Sequence, residues 1–210
     1  MIERLGNGAF SICEWLARLA VINMFWILFT AAGLGLFGWA PATAAACTVM
    51  RSAFLNGGLA DQDTRSVFRE FKSVFQNEFV QANIVGFLLL WGSALLILSG
   101  WAMAAMEVPL LPRLLLIGTA SLFALVFLLI FPVRTHLETS IRASIQYSLM
   151  IGLANLPSVF LVLLSVALML MLFIMIPGVL VFYGVSLPVA AVMYMSLRIF
   201  SKTGLKTVSN

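Results

Sequence analysis

Charged residues are widely spaced along this chain. None occurs for 32 positions between Arg18 and Arg51, for 28 between Glu78 and Glu107, for 20 between Arg113 and Arg134, or for 55 between Arg142 and Arg198. An uncharged, mainly apolar run of ~18 residues already reads as a membrane span. The pattern predicts an all-α fold, a polytopic membrane helix bundle of about six transmembrane helices with amphipathic interfacial helices, in a single membrane domain over residues 1–210. Length and punctuation place the spans at residues 16–38, 41–55, 79–103, 111–133, 156–176 and 179–199. Pro41, Pro157 and Pro177 are the expected helix breaks, since proline suits a helix's first turn and cannot continue the helix before it. The segment 41–55 is short. At ~1.5 Å per residue it reaches about 22 Å, against ~30 Å of bilayer core.

Three amphipathic stretches, 2–16, 61–79 and 135–150, each precede a hairpin. In 61–79, Phe68, Phe71, Phe75 and Phe79 recur at three- and four-residue intervals, with Arg65, Arg69 and Lys72 on the other side; that is the period of a helix with one apolar face. Asp61 or Asp63 can cap it, and Gly57-Gly58 breaks the chain before it. In 135–150, Leu137, Ile141, Ile145 and Leu149 lie four apart, and Glu138 and Arg142 form an i,i+4 pair. The stretch 2–16 repeats more loosely. Such helices either lie in the headgroup plane or extend the next span into the cytoplasm. Both options stay open for 135–150. For 61–79 the large Phe surface favours an interfacial or partner-facing helix, with Phe68, Phe71, Phe75 and Phe79 as the candidate partner surface.

Charge orients the bundle. With six spans and both termini cytoplasmic, all of the 12 Lys and Arg residues except Arg113 fall inside. Five spans would leave Arg4, Arg18 and Arg113 outside. The positive-inside bias therefore selects six, in a bacterial cytoplasmic (inner) membrane. Hydrophobic residues are 62% of the chain and charged residues 10%. A net charge of +4 then reflects cytoplasmic Lys and Arg, and no nucleic-acid binding is expected. Ala42-Thr43-Ala44 has the form of a cleavage site, but the apolar run before it exceeds the ~7–15 residues of a secretory h-region. The first span is read as an uncleaved anchor.

The chain offers little chemistry. Gly33-Leu34-Gly35-Leu36-Phe37-Gly38 spells G-x-G-x-x-G, yet it follows a membrane helix rather than a strand, so helix contact or a turn is the expected use. His136 is the single histidine and has no second ligand for a metal. Cys13 and Cys47 fit no disulfide framework or zinc spacing. No G-x-S-x-G, H-E-x-x-H or phosphate-binding loop is present. No enzyme, cofactor or metal is expected. Asn23, Asn83 and Asn155 are the candidate intramembrane polar contacts. They either join helices by hydrogen bonds or, for Asn23 and Asn83, face a cavity that binds a polar solute. No Asp, Glu or Lys lies deep in a span, which disfavours a proton- or sodium-coupled carrier. Pro41 precedes Arg51, and Pro188 precedes Arg198, by the same ten residues, a spacing that hints at a duplicated hairpin.

Residues 39–45 (Trp-Ala-Pro-Ala-Thr-Ala-Ala), Val67-Phe68-Arg69-Glu70-Phe71, Phe131-Pro132 and Asn155-Leu156-Pro157 together give an order of landmarks that resembles the YesL-like family of bacterial integral membrane proteins of unknown function. The family usually has Gly at the position of Ala40. The resemblance implies an association with carbohydrate or other solute uptake systems, so an ABC importer permease or a sensor kinase is the implied partner besides the lipid bilayer. It supplies no catalytic residues. The expected function is a non-enzymatic accessory membrane protein. The alternative is a small solute transporter or channel, with a second copy of the chain as a candidate partner in a homo-oligomer.

Overall fold

The computed structural model describes residues 2–56, 63–106, 108–137 and 139–203, with side chains from residue 13 onward. Among these residues it is all-α: α1 (Ile2–Ala32), α2 (Trp39–Leu55), α3 (Thr64–Asn77), α4 (Phe79–Ala105), α5 (Leu110–Leu137), α6 (Ile141–Ala154), α7 (Leu156–Met175), α8 (Pro177–Tyr183) and α9 (Ser186–Thr203). Pro41, Pro157 and Pro177 all stand in the first turn of a helix, where the missing N–H has no intrahelical acceptor in any case. Pro188 holds the same third position in α9 as Pro41 does in α2. The expected amphipathic stretch 2–16 is continuous with the first span inside α1. Gly57-Gly58, Asp61, Glu138 and the side chains of 2–12 lie outside the described residues. Asp63 occupies the N-cap of α3 without a side-chain capping bond, whereas Ser140 Oγ accepts from Ala143 N at the start of α6.

Four helical segments are long and apolar enough to cross a membrane: Cys13–Ala32, Phe79–Ala105, Leu110–Leu137 and Leu156–Met175. The pair α8 and α9, bent by 58°, makes a fifth if it is one broken span. The expected short span at residues 41–55 lies within α2. The 17 residues of α2 are too few to rank with the others. Apolar composition there has a different cause: α2 contacts α1, α3, α4, α5 and α9 and is sheathed by protein rather than lipid.

The residues of α2 explain that position. Ala40, Ala42, Ala45, Ala46, Val49, Met50 and Ala53 are fully buried. Small side chains allow helix axes to approach closely, which in a bilayer substitutes for the missing hydrophobic drive between helices. The closest approach is to α4 at Gly86, where a Cβ would lie 2.6 Å from the Ala40 Cβ and 3.1 Å from the Trp39 ring. Two polar bonds fix the helix further. Trp26 Nε1 of α1 donates to Thr43 Oγ1 at 3.1 Å, and Ser52 Oγ donates to Glu70 Oε1 of α3 at 2.6 Å. The G-x-G-x-x-G segment is the turn into α2. Leu34 (φ 58°) and Gly35 (φ 73°) take left-handed conformations, and Gly35 N bonds to Thr30 O at 2.8 Å.

Beyond this core the chain extends as a bare hairpin. On α4 burial stops at Leu89, and on α5 it resumes at Leu125. Trp91, Ile97, Trp101, Leu111 and Leu115 point outward, as an apolar surface does when lipid is its solvent.

Gly86→Ala is expected to destabilise the bundle by about 1–3 kcal/mol through overpacking. Gly118→Ala, where a Cβ meets nothing within 4 Å, is expected to be neutral or to stabilise by up to about 1 kcal/mol through helix propensity. Unfolding in mixed detergent micelles, followed by circular dichroism, measures both; equal effects would refute the close α2–α4 approach.

Candidate functional site

A polar concavity lies where the C-terminal half of α2, the junction of α3 and α4, and the last turns of α5 converge. Its volume is about 370 Å³, and its lining includes Thr48, Arg51, Asn77, Glu78, Gln81, Arg134, Thr135 and Thr139, with Ala44, Val74 and Phe131 as apolar wall. Helix ends build it. Glu78 is the single residue between α3 and α4 (φ −91°, ψ 0°), and Arg134 stands in the last turn of α5, where the helix dipole favours a cation.

Arg134 organises the site. Its side chain is only 9% exposed. Its Nη2 donates to Glu78 Oε2 at 2.7 Å and to Gln81 Oε1 at 2.8 Å, so α5 is tied to the first turn of α4. Its Nη1 is buried without an acceptor. Arg51 stands across α2 with its Nε also buried and unpaired. A guanidinium stays charged throughout the physiological range and carries five donors, so among the described lining residues two guanidiniums face one carboxylate, a net positive charge with N–H groups unspent. Among the described residues no group of three His, Cys, Asp or Glu side chains is placed to hold a metal.

Asn23, Asn83 and Asn155 do not line this cavity. Asn23, buried at 1% exposure, bonds to the bend between α8 and α9. Its Nδ2 donates to Val181 O at 2.7 Å, and its Oδ1 accepts from Val185 N at 2.9 Å and Ser186 N at 3.2 Å. Asn83 donates to Phe79 O at 2.8 Å and Asn155 to Ile151 O at 3.1 Å, each within the turn that precedes it. Of the two uses open to Asn23 and Asn83, hydrogen bonding is the one seen: Asn23 joins α1 to the α8–α9 bend, and Asn83 bonds within its own helix. His136 stacks on Phe200 of α9, with ring centroids 4.4 Å apart.

The Phe stripe also turns inward. Phe71 is fully buried and Phe75 nearly so, while Phe68 at the edge is 37% exposed. Phe25 and Phe29 of α1 fill the other side: Phe29 lies 5.2 Å from Phe71 and 5.0 Å from Phe75, and Phe25 lies 5.3 Å from Phe68. Phe79 closes the row against Phe75 at 5.6 Å. The expected partner surface is thus corrected for Phe71 and Phe75, because α1 already covers them. Periodicity reveals that a helix has an apolar face without revealing what meets it. The cavity residues escaped sequence reasoning for a related reason: Arg51 and Arg134 read as topology markers. The one available signal was the polar cluster Asn77, Glu78 and Gln81 at the mouth of a span.

Residues 19–99 match the family described as "Protein of unknown function, DUF624". The chain is 32% identical to the uncharacterized protein YesV of Bacillus subtilis (strain 168) over 207 residues, which covers 94% of this chain and 93% of that one. The chain belongs to the YesL-like DUF624 family. Two further DUF624-like relatives from the same organism are the uncharacterized proteins YesL, 34% identical over 74% of this chain and 71% of its own length, and YteU, 31% identical over 83% and 77%. No solved structure matches the chain. The DUF624 match contains α2, α3 and the cavity residues Arg51, Asn77, Glu78 and Gln81, while Arg134 lies beyond it.

Asn23→Val is expected to cost about 3 kcal/mol or more, because two buried N–H groups and one carbonyl at the bend lose their partner. Asn83→Ala, which frees one carbonyl already bonded within its helix, is expected to cost no more than about 1 kcal/mol. Micelle unfolding distinguishes them, and equal losses would show that Asn23 does not hold the bend.

Proposed function

We propose that this DUF624 protein is a non-enzymatic, multi-pass component of a bacterial cytoplasmic membrane, with both termini inside, that acts as an accessory to a carbohydrate or other solute uptake system or to its signalling partner. The observation that carries the reading is the placement of polarity. The buried charge sits at one end of the bundle, in the Arg51–Arg134 cavity, and between Glu78 and Arg134 the sequence of the distal hairpin has Glu107 and Arg113 as its charged residues. A membrane chain that moves solutes normally lines its pathway with polar or ionisable groups at membrane depth. Here the buried asparagines serve the backbone instead. The positive-inside bias puts Arg51 and Arg134 on the cytoplasmic side, where an importer's ATPase or a kinase domain would also lie.

A transporter is the second reading, favoured by the broken helix pair α8–α9, since discontinuous helices occur at transporter sites. Two measurements decide. Crosslinking in native membranes followed by mass spectrometry is expected to recover a permease or sensor kinase, and liposomes holding the purified protein alone are expected to show no solute flux above empty vesicles. Recovery of this chain alone, together with flux, would replace the accessory reading with the transporter.

A further inference from the structure

We propose that the cavity between α2, α3, α4 and α5 is a binding site for a phosphate group, gripped between Arg51 and Arg134. Three observations converge there. First, Arg51 makes no hydrogen bond or ion pair with any described residue, although its Nε is shut away from water. A buried charged donor without an acceptor is costly, and a ligand that supplies the acceptor relieves that cost. Second, Arg134 is held by Glu78 and Gln81 through Nη2 alone, which leaves its buried Nη1 with hydrogen-bonding capacity unspent. Third, the two guanidiniums come from different helices and border one space of about 370 Å³, within the usual range for small-molecule sites.

The donor arrangement selects the class of anion. A planar carboxylate is matched best by the two-pronged fork of one arginine. Arg134 has already committed Nη2 to Glu78 and Gln81, so the donors that remain are its Nη1 and the guanidinium of Arg51, which reach the space from two separate side chains. A phosphate group has oxygens directed at several angles and accepts from both. Seating it requires each guanidinium to rotate toward the cavity, which a long side chain does readily. Two positive charges against the one of Glu78 also suit a ligand of net negative charge. Asn77 and the hydroxyls of Thr48, Thr135 and Thr139 are placed to meet polar atoms beside the phosphate. The same chemistry arises in two sources, a soluble phosphate ester or the headgroup of a phospholipid.

The test uses the full-length protein and reads its thermal unfolding midpoint. One arm titrates glycerol 3-phosphate and inorganic phosphate into protein in neutral detergent, with chloride at matched ionic strength as control. The other compares nanodiscs of phosphatidylcholine with nanodiscs that also contain phosphatidylglycerol. A ligand that binds the folded state raises the midpoint. Saturable stabilisation in the first arm, with apparent affinity about tenfold or more weaker in Arg51→Gln, supports a soluble phosphate ester. Stabilisation in the phosphatidylglycerol discs alone, lost in Arg51→Gln, supports a lipid headgroup. Because Arg51 has no partner among the described residues, the unliganded Arg51→Gln protein is expected to unfold at the wild-type midpoint or above it; a merely structural arginine would lower it. No stabilisation in either arm, or stabilisation unchanged in Arg51→Gln, overturns the site.

Discussion

A backbone inside a bilayer has no water to bond with, so any departure from continuous helix must be answered by protein. The bend between α8 and α9 is such a departure, and Asn23 answers it with three hydrogen bonds from one amide. The rest of the bundle depends on that junction. The bend directs α9 back alongside α2, and α2 is the helix that most of the others surround. The same amide fastens α1 to the opposite end of the sequence, so one side chain closes the bundle across more than 150 residues, the bonds to Val181 and Ser186 spanning 158 and 163.

The parts of the fold legible in the sequence are those that depend on one dimension. Uncharged length marked α4, α5 and α7, and the prolines at 41, 157 and 177 marked helix starts within two residues, because proline acts locally. What was misread depends on neighbours distant in sequence. Alanine-rich α2 is as apolar as a lipid-facing helix, and composition does not say whether lipid or protein surrounds it. The Phe stripe of α3 was recognised as a face, but its counterpart, Phe25 and Phe29, had been counted as part of a lipid-facing span. Asn23 stands out in the sequence as a polar residue within an apolar run, yet its partner is a main-chain break that leaves no mark in residue types.

The candidate site illustrates the same division. Each of its charged residues flanks an apolar stretch, where topology alone accounts for it. Only the fold brings Arg51 of α2 and Arg134 of α5 to one space, and only the hydrogen-bond inventory distinguishes an arginine spent on Glu78 from one with donors in hand. Polarity is thereby concentrated where helix ends meet. The opposite extreme of the molecule, the α4–α5 hairpin, has no buried residue over its outer half.

The sheath around α2 has a consequence for biosynthesis. Its walls are α1 on one side of it in the sequence and α3, α4, α5 and α9 on the other, and a ribosome delivers these in order. While α9 is still untranslated, the alanine face that it will cover has only lipid or the insertion machinery against it, and small side chains hold weakly to either. The nascent protein therefore passes through a long interval with its central helix incompletely walled, and the arrival of α9, drawn in by Asn23, is the event that seals it.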